Sequence, residues 1–511
     1  LIAIMHQRVG FYVSKSGRLI TMGNYGVALD KKDDPNDGNG IGRVVREIKK
    51  DGSFGPIYFI YYNHGFNEKN TDYPYFKKSK DREFVKACQE WVEEADREDP
   101  IIPLKKGYKA FNCYTLPDGR IASLWKHALT SISEDGGHTW AEPVLRAKGF
   151  VNSNAKIWGQ RLSDGAYATV YNPSEFRWPL AISLSKDGLE YTTLNLVHGE
   201  ITPMRYGGNY KSYGPQYPRG IQEGNGVPAD GDLWVSYSVN KEDMWISRIP
   251  VPVEINASAH ADDDFSKFGS IAELTNWNIY SPVWAPVSLE GAWLKLQDKD
   301  PFDYAKVERK IPASKELKVS FDLLAEQNDK GRLQIDFLDG NSIACSRLEL
   351  TPDGIFRMKG GSRFANMMNY EAGKTYHVEA VLSTADRNIQ VYVDGKRVGL
   401  RMFYAPVATI ERIVFRTGEM RTFPTVDTPA DQTYDLPDAG GQEPLAEYRI
   451  ANVKTSSTDK DASSAFLKYA DFSHYAESFN GMEDENIVQA IPNAKASEWM
   501  EENIPLFECP Q

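Results

Sequence analysis

Apolar and polar residues alternate over short stretches through the first half of the chain, as in Ala166-Tyr167-Ala168-Thr169-Val170-Tyr171. That period of two predicts half-buried strands. The runs are separated by Asp-Gly pairs such as Asp118-Gly119 and Asp164-Gly165, which suit two-residue hairpin turns. One segment departs from this pattern. Between Asp81 and Glu98 the apolar residues Phe84, Cys88, Trp91 and Ala95 recur at helical spacing amid charges, so an amphipathic helix is expected as an insert over about 78–98. It reads as a packing clip before it reads as a substrate lid. A polar stretch from Asn256 to Lys267 then marks a boundary. Beyond it come longer alternating strands: Lys318 to Leu323, Leu333 to Phe337, His377 to Val381 and Gln390 to Gly395. These predict a β-sandwich over 268–455. After the polar linker Thr455 to Ser464, helical signals occupy 465–511. The fold class expected is all-β in two domains, 1–255 and 268–455, with a short helical C-terminal segment.

Ser133-Glu134-Asp135-Gly136-Gly137-His138-Thr139-Trp140 fits the spacing Ser-x-Asp-x-Gly-x-Thr-Trp throughout. In such a turn the Ser and Asp side chains bind nearby amides, the glycines take positive φ, and the Trp is expected to pack between sheets. Weaker copies are Ser185 to Tyr191 and Lys50 to Pro56. The motif is identified as an Asp-box and resembles the blade turns of sialidase-like β-propellers. That resemblance implies a propeller of five blades, with six as the alternative. The boxes themselves are structural, so chemistry must come from other loops. The turn Asp394-Gly395-Lys396 and the closing strand Tyr448 to Val453 resemble concanavalin or laminin-G-like jelly rolls, for which bracing outweighs sugar binding. The segments Phe472 to Asn486 and Ile491 to Trp499 resemble the lead-in of an (α/α)-barrel glycosidase, which implies a covalently linked downstream helical domain.

Charge narrows the partners. With 59 basic and 71 acidic residues the net charge is −12, which argues against nucleic acid or an anionic membrane as the main partner. The plentiful aromatics fit both a β-rich fold and a sugar binder. Cys88, Cys113, Cys345 and Cys509 are scattered without metal-ligand spacing, so neither a zinc site nor a disulfide framework is indicated. No cofactor or metal is expected. No run of about 18 apolar residues is present to span a membrane.

The opening, His6 to Phe11 followed by Gly17 to Tyr25, resembles the sialidase start, in which an Arg clamps the substrate carboxylate. Arg8 takes that position, although Gly10 stands where the family has Pro. Guanidinium forks give bidentate, permanently charged recognition of a carboxylate. The loop Asp33 to Gly40 occupies the place of the family's acid/base Asp, with Asp37 chosen and Asp34 next. Its spacing does not fit an EF-hand calcium loop. Arg177, ahead of the Ser185 box, is similar to a later Arg of the triad. Tyr217 matches the family's nucleophile. A phenol, with an ordinary pKa of about 10, needs a carboxylate to take its proton. Glu223 is the partner chosen and Glu200 the alternative. Where the family carries a Glu before its third-blade strand, Lys156 to Arg161 departs from the pattern. Arg161, Arg43 and Arg219 are further candidates for substrate binding.

The order of domains resembles large gut-bacterial pectin-degrading glycosidases. More specifically, it is similar to the gut Bacteroides family that removes 3-deoxy-lyxo-heptulosaric acid (DHA) from rhamnogalacturonan II. This implies a secreted or periplasmic exo-acting hydrolase of an acidic oligosaccharide, with Kdo and sialic acid as less favoured sugars. Two alternatives stand beside it. One is a propeller lyase or uronic-acid-linked glycosidase using His6, His64 or His198 as base, and the other is a non-catalytic glycan-binding module.

Overall fold

The computed structural model describes residues 5–459 apart from 27–39, 99–111, 126–127, 138, 142–144, 150–154, 174–176, 201–213, 221–229, 255–256 and 419–440. The expected helical segment 465–511 and Cys509 lie outside the described residues. The chain divides into two compact units after residue 109.

In the first unit, strands β1 (Met5–Val13), β2 (Leu19–Gly26), β3 (Gly42–Ile48) and β4 (Tyr58–Tyr62) form an antiparallel meander in that order. Helix α1 (Arg82–Glu98) follows. Asp81 caps it by accepting the Phe84 amide at 3.0 Å, as expected of an N-cap carboxylate. The same Asp81 and Glu47 share the Arg18 guanidinium, so the helix start is tied to the sheet. Its buried face, Phe84, Ala87, Cys88 and Trp91, joins a cluster with Ile20, Val45 and Ile60. Tyr12 stacks on Trp91 with ring centroids 5.5 Å apart. These contacts are those of a clip that completes the core of this sheet.

The second unit holds three more blade-like sheets and the sandwich. Strands β5 (Asn112–Thr115), β6 (Ile121–Trp125), β7 (Leu129–Ser133) and β8 (Leu145–Arg146) form one sheet. The next comprises β9 (Trp158–Arg161), β10 (Tyr167–Tyr171), β11 (Leu180–Ser185) and β12 (Asn195–His198). The third comprises β13 (Pro215–Gly220), β14 (Leu233–Val239) and β15 (Asp243–Ile249). Sequential antiparallel sheets that pack face to face are the propeller arrangement. Tyr114, Leu124, Tyr167 and Tyr191 fill the space between the first and second of these sheets. Val170, Ile182, Val235 and Tyr237 do so between the second and third.

The Asp-box chemistry is present at atomic level. Ser133 Oγ donates to Asp135 at 2.7 Å and accepts the Gly137 amide at 2.8 Å. Asp135 also accepts the Thr139 amide at 2.8 Å. Gly136 and Gly137 sit at φ +80° and +96°, in the left-handed region open to glycine. Trp140 is half-buried, not enclosed between sheets as the motif predicts. In the second box Ser185 Oγ donates to Asp187 at 2.9 Å. A Cβ on Gly188 would meet Leu116 at 2.8 Å, so this box packs against the β5–β6 turn of the preceding sheet. Boxes and first hairpin turns therefore share one end of the sheets. The β10–β11 connection and the start of β13 lie at the other.

The sandwich pairs two large antiparallel sheets. Three of the four strands expected from periodicity lie within its strands. The fourth, Gln390 to Gly395, ends as a strand at Val393 and turns at Asp394-Gly395, and the closing segment Tyr448 to Val453 lies within Ala446–Ser457. Its core includes Phe321, Phe337, Leu348, Val391 and Phe415, supplied by alternating positions of both sheets. The polar boundary segment already belongs to this architecture. Asp262–Asp263 pairs with the strand Ala446–Ser457, Asp263 accepts from Arg309 at 2.7 Å and from Trp277 at 2.9 Å, and Phe265 is buried in the core.

Candidate active site

At the end of the sheets away from the Asp-boxes, β13 begins with a bulge. Gln216 pairs with Ser238 and Arg219 with Ser236, leaving one extra residue on β13. Tyr217 occupies it at φ +59° and is 42 % exposed. A bulky non-glycine residue in this conformation is costly and persists where its surroundings determine it. Bulges of this kind re-aim a side chain.

Three contacts determine those surroundings. Asn172 Nδ2 donates to the carbonyl of Pro215 at 2.8 Å. The Gly214 amide donates to Asn240 Oδ1 at 2.7 Å. Gly214 itself stands at φ +90°, and a Cβ there would lie 2.0 Å from the Arg177 carbonyl. Only glycine lets the β10–β11 connection come so close. Arg177 consequently lies over the Tyr217 ring, its Cζ 5.2 Å from the centroid, with Nη1 donating to Gln216 Oε1 at 3.4 Å. On the β14–β15 turn, Asn240 and Lys241 both have φ of 56°, and Lys241 Nζ stands 6.0 Å from the same ring. An exposed phenol flanked by a guanidinium and an ammonium can orient an anionic sugar and act on it.

The other candidates fall in different places. Arg219 follows on β13, half-buried. Arg161 ends β9 at the opposite end of its sheet. A Cβ on Gly165 would lie 3.8 Å from its Nη2, and that turn touches the β13–β14 turn through Ser163 Oγ, which donates to the Gly231 carbonyl at 2.6 Å. Arg161 is therefore not brought to Tyr217. In the first unit Arg43 is buried beneath the Tyr61 ring, its Cζ 5.2 Å from the centroid. Burial leaves its guanidinium little access to a substrate. Arg8 lies on β1 within a bulge between the Gln7–Asn24 and Gly10–Met22 pairs. Asp34, Asp37 and Glu223 lie outside the described residues. Lys241 is the member of the cluster that sequence reasoning missed, although an Asn-x pair between alternating strands is a hairpin signal.

Glu200 and His198 serve another purpose. Glu200 pairs with Lys306 of the sandwich, both side chains being mostly buried. Burial acts to raise the Glu200 carboxyl, and the Lys306 ammonium outweighs it, leaving the group below its ordinary range. Glu200 is thus engaged in joining sheet to sandwich, which removes it as the proton acceptor for Tyr217. His198 Nδ1 lies 3.0 Å from Tyr237 Oη. Its ring meets Trp245 and Tyr280 edge to face, and only 3 % of the residue is exposed. This enclosure removes it as a lyase base. His64 is exposed.

Burial holds the His198 imidazole down to about 4, against a smaller upward influence of Glu200. The unfolded chain, with an ordinary value near 6.5, therefore binds this proton first as pH falls. The stability present above about pH 6.5 should decline towards pH 4 by about 3 kcal/mol. Denaturant unfolding of wild type and His198→Gln at pH 5 and 7.5 measures it, and the variant should lose most of the difference between the two.

Among the described residues no cluster of three or more His, Cys, Asp or Glu could hold a metal ion. No described helix is long and apolar enough to cross a membrane.

Comparison with known proteins fits this architecture. Residues 1–108 match the family described as BT_1020-like, N-terminal beta propeller. Residues 113–235 match the BNR repeat-like domain, and residues 277–432 the sialidase-like, CBM domain. Among solved structures the chain is 96 % identical to one called "Sialidase", with a TM-score of 0.77, over 99 % of this chain and 48 % of that one. The chain thus spans about half the length of that relative. An endo-acting O-glycanase structure from human gut microbiota is 11 % identical, with a TM-score of 0.29, over 39 % of this chain and 98 % of that one. A GH131 β-glucanase catalytic domain from Podospora anserina is 14 % identical, with a TM-score of 0.29, over 40 % and 99 %. No curated protein matches the chain. The chain is built as a sialidase-like β-propeller followed by a CBM-like β-sandwich.

Proposed function

We propose that the chain is the front part of an exo-acting glycoside hydrolase that removes a terminal 2-keto-3-deoxy acidic sugar, of the DHA kind, from rhamnogalacturonan II. The observation that carries the proposal is Tyr217, held at positive φ in the β13 bulge between Arg177 and Lys241. Such a sugar carries its carboxylate on the anomeric carbon. A carboxylate nucleophile would approach it against like charge, whereas a tyrosine does not, and fixed cations beside the ring hold the substrate's own carboxylate in place. Tyrosine is one of the known exceptions to the carboxylate nucleophile in glycosidases.

In this scheme Arg177 and Arg8 grip the carboxylate. Asp37 protonates the departing oxygen, Glu223 takes the Tyr217 proton, and Tyr217 attacks or stabilises the oxocarbenium-like carbon. A secreted or periplasmic location and a linked downstream helical glycosidase domain belong to the same proposal. The location follows from the proposed substrate, and the greater length of the solved relative leaves room for the further domain.

The test is incubation with rhamnogalacturonan II oligosaccharides and with Kdo and sialyl glycosides, following free 2-keto-3-deoxy acid and absorbance near 235 nm together. Release without new unsaturation is expected. Unsaturation would identify a lyase, and binding without either signal a binding module.

A further inference from the structure

The β11–β12 ladder runs out beside the candidate site. Its last pair is Leu180 with His198. One residue further out, Pro179 has no N–H to offer the Gly199 carbonyl. The indole of Trp178 takes that place, its Nε1 donating to the Gly199 carbonyl at 3.0 Å. Both ends of this bond are anchored. On the acceptor side, His198 is enclosed and Glu200 is paired with Lys306 of the sandwich. On the donor side, the Pro179 carbonyl accepts Asn172 Nδ2 at 2.8 Å.

Arg177 immediately precedes Trp178, so the indole bond fixes the backbone next to the guanidinium. Gly214 presses on the same stretch, since a Cβ there would lie 3.2 Å from Trp178 Cβ. The tip of Arg177 is held by weaker contacts. Its Nη1 reaches Gln216 Oε1 at 3.4 Å, beyond the ordinary N–H···O range of about 2.7–3.2 Å, and its Cζ stands 5.2 Å from the Tyr217 centroid. A loosely held tip takes its place from the backbone that carries it. Bidentate recognition of a carboxylate depends on that place, because two donors must meet two oxygens at once.

We propose that Trp178 is a positioning residue for Arg177: it supplies the donor that Pro179 lacks, and so fixes the backbone from which the guanidinium reaches over Tyr217. The inference rests on the reading of Arg177 as the grip on the substrate's carboxylate. It differs from a stacking role for the indole. A ring that packed on the sugar would act on charged and uncharged substrates alike, whereas a positioning residue acts where the carboxylate is read.

The experiment compares release from an aryl glycoside of DHA with release from the same glycoside methyl-esterified at its anomeric carboxylate. Wild type, Trp178→Phe, Arg177→Ala and the double variant are measured at steady state. Trp178→Phe keeps an aromatic ring and removes the donor. Its KM for the free acid should rise about tenfold, the scale of one hydrogen bond, with kcat within about twofold. KM for the ester should stay within about twofold, and in the Arg177→Ala background Trp178→Phe should add less than about twofold for the acid. Benzothienylalanine at position 178, which keeps the bicyclic ring and puts sulfur in place of the N–H, should give the same split without the space left by the smaller phenyl ring. An unchanged KM, a rise common to acid and ester, or a full rise in the Arg177→Ala background would overturn the inference while the hydrolase reading stands. No release from either glycoside by wild type would overturn that reading, and this inference with it.

Discussion

Tyr217→Phe should lower release of the acidic sugar on the order of a thousandfold or more, the scale of losing a nucleophile. The substitution removes one oxygen from a side chain that is 42 % exposed. It leaves the ring between Arg177 and Lys241 and does not alter the demand for positive φ at this position. Stability should therefore change by less than about 0.5 kcal/mol. The loss should appear in kcat with KM nearly constant, because the guanidinium and ammonium that hold the substrate remain. Arg177→Lys should show the converse weighting. It keeps the charge but loses the fork that matches a carboxylate, so KM should rise more than kcat falls. Steady-state kinetics on one released sugar separates the two. A Tyr217→Phe enzyme with near-normal kcat would remove the phenol from the reaction.

The second large effect concerns stability. Lys306→Met leaves the Glu200 carboxylate mostly buried without its cation, beside His198 and Tyr304. Removing one partner of a buried pair typically costs about 3–5 kcal/mol. The pair fastens the β9–β12 sheet to the sandwich strand Lys306–Ser314, in a region where Trp245 also stacks on Tyr280 with centroids 5.1 Å apart. Glu200→Gln combined with Lys306→Met should recover most of the loss, since no uncompensated charge then remains. Equilibrium denaturation of the two single variants and the double variant forms the cycle. Additive losses would mean that the two charges do not stabilise each other.

The parts of this fold legible from sequence are those encoded locally. An Asp-box closes within eight residues, Ser133 to Trp140, through side chain to backbone bonds that the residue types announce. The sandwich strands show their burial by period two, and α1 shows its buried face by Phe84, Cys88 and Trp91. What proximity in sequence could not supply is which groups meet across elements. Glu200 finds Lys306 more than a hundred positions away, so its role in joining sheet to sandwich had no local signal. Arg161 is different, because it stands just before an Asp-Gly turn. In an antiparallel meander that turn shares the end of the Asp-boxes, so its separation from Tyr217 was available by counting turns. Tyr217 is singled out in the sequence by its resemblance to a family motif, but its bulge and positive φ depend on Gly214, Asn240 and Asn172 acting together.

The most direct measurement is covalent trapping. The protein would be incubated with a fluorinated 2-keto-3-deoxy acid bearing a good leaving group, digested, and its peptides weighed by mass spectrometry. The account predicts one glycosyl adduct, located on Tyr217 and absent from Tyr217→Phe. Turnover of the ordinary substrate with an adduct on a different residue would contradict it.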